Sequence, residues 1–203
     1  MQTRDKSSQN PIRRHLDTAK KYNEIAGVGE IARRYFAMNA FDGVLTLTGV
    51  LMGNLSAGVE NPAIVITTGL STSIAIGISG LWGSYLTESA EKKRSLNELM
   101  NSTLTDLNGT IIGRASRYAA VVVSIVDGLS PFLAALVVMI PFFLHRFFPV
   151  IQWVYYASLG TALLALFGLG LFLGKISKEN LIISGIKTVF AGIASIIISS
   201  LIT

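Results

Sequence analysis

Cysteine is absent from the 203-residue chain, which excludes disulfides, thiolate metal sites and cysteine nucleophiles. Charge is scarce: 14% of residues are Asp, Glu, Lys or Arg, against about 25% in a soluble domain. Histidine occurs only as His15 and His145, both outside the apolar runs, so a histidine-rich zinc or copper centre is not expected. The N-terminal stretch MQTRDKSSQNPIRRHLDTAKKYNE is polar and holds no apolar core, so the chain does not open on a cleavable secretory signal. The net charge of +5 would suit nucleic acid if it covered one soluble face. Its placement points to membrane topology instead, and no nucleic-acid partner is expected.

What fills the space is apolar. Hydrophobic residues make up 51% of the chain and the mean hydropathy is +0.55. A spanning helix needs about 20 predominantly apolar residues, and five stretches supply them: 36–56, 63–86, 118–144, 151–174 and 181–202. Short connectors with turn or breaker residues separate most of them, SAGVENP, HRFFP and KISKEN. Lys and Arg set the direction. Eight precede the first span, five lie in the 87–117 connector and two in 175–180, against Arg146 alone on the other side. The positive-inside rule then predicts an all-α integral membrane bundle of five transmembrane helices, N-terminus cytoplasmic and C-terminus outside. Residues 1–34 form a basic cytoplasmic segment and 35–203 the membrane domain, with 87–117 as a cytoplasmic helical connector. The absence of targeting signals points to the cell membrane.

Two aspartates break the apolar pattern, Asp42 and Asp127, each followed by Gly. A carboxylate at mid-membrane costs about 2.5–3.5 kcal/mol on insertion scales and by default has a function. Asp42 lies eight residues past Arg34, and Asp127 lies ten past Arg117. At 1.5 Å per residue these are about 12 and 15 Å along the helix, near the middle of a core about 30 Å thick. Both spans start on the cytoplasmic side, so the two carboxylates are expected on parallel helices, facing inward and able to share a cation. Met38, Asn39, Asp42, Thr46, Gly49 and Gly53 follow helical spacing and would present a thioether, an amide, a carboxylate and a hydroxyl on one face. Pro131, four residues after Asp127, leaves the Asp127 carbonyl without its helical donor. That oxygen can serve an ion, or the helix is simply kinked there with Ser130 compensating. Glycines at 49 and 53, 77, 80 and 83, 170 and 174, 185 and 192 read as helix-packing faces and a dimer seam.

The second apolar run, from Pro62 to Glu88, is about 39 Å of helix and is expected to extend out of the membrane into TESAEKKRSLNELMNSTLTDLNG. Glu88 and Glu91 share a face there and are candidate cation collectors at the entrance. As an ordinary solvated helix the same stretch would balance them with Lys92 and Arg94.

NAFDGVLTLTGVLMG (39–53) resembles the first span of the vacuolar iron transporter family, in which Asp-Gly follows a small polar pair and leads into a glycine-spaced helix. GISGLWGSYLTESAEKK is similar to that family's helix leaving the membrane, PFLAALVVMIPFFL to its third span, and SGIKTVFAGIASIIIS, with Lys187, to its last. The resemblance spans about residues 30–203. It implies a homodimer that exports ferrous iron, and sometimes manganese, from the cytosol in exchange for protons, with Asp42 as the membrane metal ligand. The chain departs from the family at Gly80 and Ser84, where Met and Glu are usual, and in a connector much shorter than the family's glutamate-rich metal-binding domain. Asp127 is a candidate ligand read from this chain alone; with these departures, either Asp127 or Met52 replaces the missing ligands in a divergent branch, or the metal has changed, or transport is lost.

The expected function is therefore secondary transport of Fe²⁺, or Mn²⁺, by proton exchange. Candidate metal-contacting residues are Asp42, Asp127, Met38, Asn39, Thr46, Glu88 and Glu91, with no bound cofactor beyond the transported ion. The alternative is a non-transporting membrane scaffold of the same fold. Enzymatic readings fit poorly. Intramembrane aspartyl proteases need Gly-x-Gly-Asp where this chain has Ser124-Ile125-Val126-Asp127, and phosphatidyl-group transferases need Ala-Arg where it has Thr46-Leu47.

Overall fold

The computed structural model describes residues 19–23, 25 and 27–202. Arg4, Lys6, Arg13, Arg14 and His15, which belong to the basic N-terminal segment, lie outside the described residues. Among those described, regular structure is entirely helical: α1 (Val28–Ser56), α2 (Pro62–Thr103), α3 (Ile111–Phe143), α4 (Ile151–Ser177) and α5 (Leu181–Ile202), with a 3₁₀ turn at His145–Phe147. All five helices are long and apolar enough to cross a bilayer. The chain is a multi-pass membrane protein, and the five expected spans each fall within one helix.

Local chemistry sets the ends. Asn61 accepts a hydrogen bond from the Ala63 amide, with Pro62 at the first helical position of α2, a combination that satisfies one orphan donor and removes another. Thr110 caps α3 through the Gly113 amide. Leu104 and Lys178 adopt left-handed conformations (φ 52° and 57°), which stop α2 and α4. The helices outrun the apolar stretches because their polar flanks are helical too. α2 has 42 residues, about 63 Å of rod, twice the thickness of a hydrocarbon core.

α1 and α3 run parallel, and α2 lies antiparallel against α3 in the most extensive contact of the bundle. Glycine sets their separation. A Cβ on Gly43 of α1 would overlap the Pro131 carbonyl of α3, and one on Gly128 would sit 2.6 Å from the Gly77 carbonyl of α2. The Gly of each Asp-Gly pair is thus the point where a neighbouring helix crosses. Gly170, Gly174, Gly185 and Gly192 perform the same service between α4 and α5. Gly49, Gly53 and Gly83, also expected on packing faces, have no neighbour within 4 Å and look outward from the single chain.

The bundle has two unlike halves. At the α1–α2 loop end, Val44, Leu47, Leu51, Val65, Val138, Met139, Phe142, Val154, Tyr155 and Leu166 form one continuous core. Phe142 and Tyr155 meet edge to face with centroids 5.0 Å apart, and the Tyr155 hydroxyl donates to the Val59 carbonyl at 2.9 Å. The Lys- and Arg-rich end is packed mainly by small residues, Ala37, Ala40, Ala115, Ala119, Ala120 and Ser124, all buried, with a smaller cluster around Val28 and Val123.

Candidate functional site

The two halves meet at the aspartates. Asp127 of α3 is 7% exposed, the one charged side chain buried among the described residues. Its Oδ1 accepts a hydrogen bond from Asn39 Nδ2 of α1. That same nitrogen donates to the Tyr35 carbonyl at 2.9 Å, and the Tyr35 hydroxyl donates to Glu88 Oε1 of α2 at 2.7 Å. A file of polar groups therefore runs from Glu88 through Tyr35 and Asn39 to Asp127 and joins three helices. Ser84 of α2 is buried beside Asp127, and among the described residues its hydroxyl has no partner in good hydrogen-bonding geometry. The Asp127 carbonyl, released by Pro131, lies where a Cβ on Gly80 would sit 3.1 Å away. Ser130 donates its hydroxyl to the Val126 carbonyl, so it does not compensate the Asp127 carbonyl.

Asp42 departs from the expectation. It is exposed rather than directed into the interior. The buried stripe of α1 is Ala37, Ala40, Gly43, Val44, Leu47 and Leu51, so Met38, Asp42 and Thr46 stand on the opposite side, all exposed. The helical spacing correctly grouped these residues on one face, but that face turns away from the core. Asp42 borders a cleft of ≈ 440 Å³ between α1 and α2, shared with Asn39, Ala75, Ser79, Gly80 and Pro131. Asn39 thus contacts the buried Asp127 and lines the cleft that Asp42 borders. The two carboxylates lie within electrostatic range of each other.

The other candidates separate. Glu88 is engaged by Tyr35, whereas Glu91 is exposed. Arg94 pairs with Glu98 at 2.9 Å rather than with Glu88 or Glu91. Lys187 lies 3.8 Å from Glu179, and among the described residues neither membrane aspartate has a basic partner. Among the described residues, no three His, Cys, Asp or Glu side chains converge on one point that would hold a metal ion. Tyr35 and Ser84 were not expected as site residues. A tyrosine beside Arg34 reads as an ordinary interfacial aromatic, and its partner lies 53 positions away.

No family model matches the chain. It is 33% identical over 177 residues to the uncharacterized protein MJ0645 of Methanocaldococcus jannaschii, a match that spans 86% of this chain and 90% of that protein. With that identity held across nearly the full length of both, the chain belongs to the family of this archaeal protein.

Proposed function

We propose that the protein is a secondary carrier for a divalent cation, Fe²⁺ first and Mn²⁺ second, that moves the ion out of the cytosol in exchange for protons and works as a homodimer in the cell membrane. The observation that carries this reading is the junction at Asn39, where a buried carboxylate and a cleft-lining carboxylate flank one amide between three helices. Two carboxylates neutralise one doubly charged ion, and two protons neutralise the same pair. A site of this composition exchanges one cargo for the other without leaving net charge in lipid, where charge is costly. Oxygen and amide ligation without thiolate suits Fe²⁺ and Mn²⁺.

The likeness of residues 39–53 to the vacuolar iron transporter family supports iron. The departures from that family gain a physical account. Gly80 sits so close to the Asp127 carbonyl that a methionine there would push α2 and α3 apart by a few tenths of an ångström. Ser84 stands beside Asp127, so the acidic group usual on the second span is supplied here from the third. A second copy facing the outward side of α1, with Asp42, Thr46, Gly49 and Gly53, would complete the coordination that one chain leaves open. The Lys- and Arg-rich end faces the cytosol in this reading, and α2 carries its polar half there.

Flux into liposomes loaded with a metal-sensitive dye tests the proposal. The intact protein admits Fe²⁺ or Mn²⁺, faster with a proton gradient directed against metal entry, and Asp42→Ala reduces entry at least tenfold. No metal entry, or equal entry with Asp42→Ala, leaves the scaffold alternative. Flux indifferent to pH removes proton exchange.

A further inference from the structure

Away from the aspartates, a second cavity of ≈ 490 Å³ opens between α2 and α3 near the Lys- and Arg-rich end. Its wall carries three cations, Lys92, Lys93 and Arg117, together with Ser89, Ser116 and Asn108, and no carboxylate. Among the described residues none of the three cations has an acidic partner: the ion pairs there are Arg94–Glu98 and Lys187–Glu179. Arg117 is oriented by donating through Nη2 to the Asn108 carbonyl at 3.0 Å, and Ser116 reaches the Lys92 carbonyl at 3.4 Å. Like charges gathered without a counterion repel one another, so the arrangement favours an anion supplied from outside.

The same seam continues toward the middle of the bundle as an apolar groove of ≈ 300 Å³ lined by Ile78, Leu81, Trp82, Leu129 and Phe132. Both cavities lie on one face of the α2–α3 pair. On α2, Ile78, Trp82, Tyr85, Ser89 and Lys92 succeed one another at three- and four-residue steps, and on α3 Leu129, Val121 and Arg117 do the same at multiples of four. Trp82 and Tyr85, with ring centroids 6.4 Å apart and both exposed, link the two cavities, since Trp82 lines the apolar groove and Tyr85 the basic pocket.

We propose that this seam is a binding site for an anionic phospholipid, with the headgroup phosphate among Lys92, Lys93 and Arg117 and an acyl chain along Ile78, Trp82 and Leu129. A basic pocket between spanning helices recognises such headgroups through charge. Arg117 offers a fork of donors to phosphate oxygens, and the lysines add point charges. A soluble phosphate would use the basic pocket but not the groove. The continuity of the two selects the lipid.

Trp82 reports on occupancy directly, since the chain has two tryptophans and Trp153→Phe leaves Trp82 alone. The full chain is reconstituted in phosphatidylcholine vesicles, and a minor fraction of the host lipid is replaced by tail-brominated phosphatidylglycerol or by tail-brominated phosphatidylcholine. Brominated phosphatidylglycerol is expected to quench Trp82 with an apparent affinity more than tenfold above that of its zwitterionic counterpart. Each of Lys93→Gln and Arg117→Gln should cut that preference about fivefold, and the triple variant with Lys92→Gln should abolish it. Lys175→Gln with Lys178→Gln, basic residues at the same end but outside the seam, should leave it intact. Equal quenching by the two lipids overturns the site, as does a preference that survives both single variants. An equal loss in the Lys175/Lys178 control reduces the effect to surface potential and also overturns it. Displacement by inorganic phosphate at constant ionic strength would identify a soluble-anion pocket and remove the lipid assignment.

Discussion

The half of the bundle around Phe142 and the half around Asp127 are built from the same helices by opposite means. Around Phe142, branched and aromatic side chains fill the space, and ten of them form one cluster. Around Asp127, alanine, glycine and serine bring backbones close and leave polar groups to define the interior. Lipid is as apolar as leucine, so large side chains gain little from mere burial there and hold helices together by contact. Small side chains give up part of that contact and in return place carbonyls, an amide and a carboxylate within reach of one another. The first half is a clamp of large side chains in mutual contact. The second half sets polar groups from three helices against one another.

Substitutions in each half separate these roles. Phe142→Ala removes the ring that meets Tyr155 and should cost about 3–5 kcal/mol, read as a lower thermal midpoint in detergent, with metal flux per folded molecule unchanged. Loss of flux without loss of stability would dissolve the distinction between clamp and site. Asp127→Ala should do the reverse: flux falls about 10- to 100-fold, while the thermal midpoint holds or rises because a buried carboxylate is gone. A large fall in the midpoint would make Asp127 structural. Tyr35→Phe deletes only the hydrogen bond to Glu88 and should cost about 1 kcal/mol, with flux reduced a few-fold. If it matched Asp127→Ala, the polar file and not the aspartate would dominate the site.

Much of the architecture is legible in the sequence. Spans appear as apolar runs because lipid leaves the helix no alternative partner for its backbone, and each run fell inside one helix. The run from Pro62 to Glu88 already exceeded a bilayer, and α2 indeed continues to Thr103. The orientation of helix faces was less legible. Met38, Asp42 and Thr46 share a face by spacing, but in a chain whose core-facing and lipid-facing residues are both apolar, periodicity does not say which face is inside. Glycine was equally ambiguous: Gly43 meets Pro131 and Gly49 meets nothing. Pairings at long range were invisible. Asn39 and Asp127 are 88 positions apart, and nothing in either segment names the other.

The unbroken length of α2 has a mechanical consequence. From Gly80, where it crosses α3 against the Asp127 carbonyl, to Thr103 it forms a rigid arm about 35 Å long. A rod pivoting at a glycine contact amplifies: a tilt of about 5° at the crossing swings the far tip by about 3 Å. Close to the crossing the same tilt is geared down, so that the helix beside Asp127 and Ser84 moves by only fractions of an ångström.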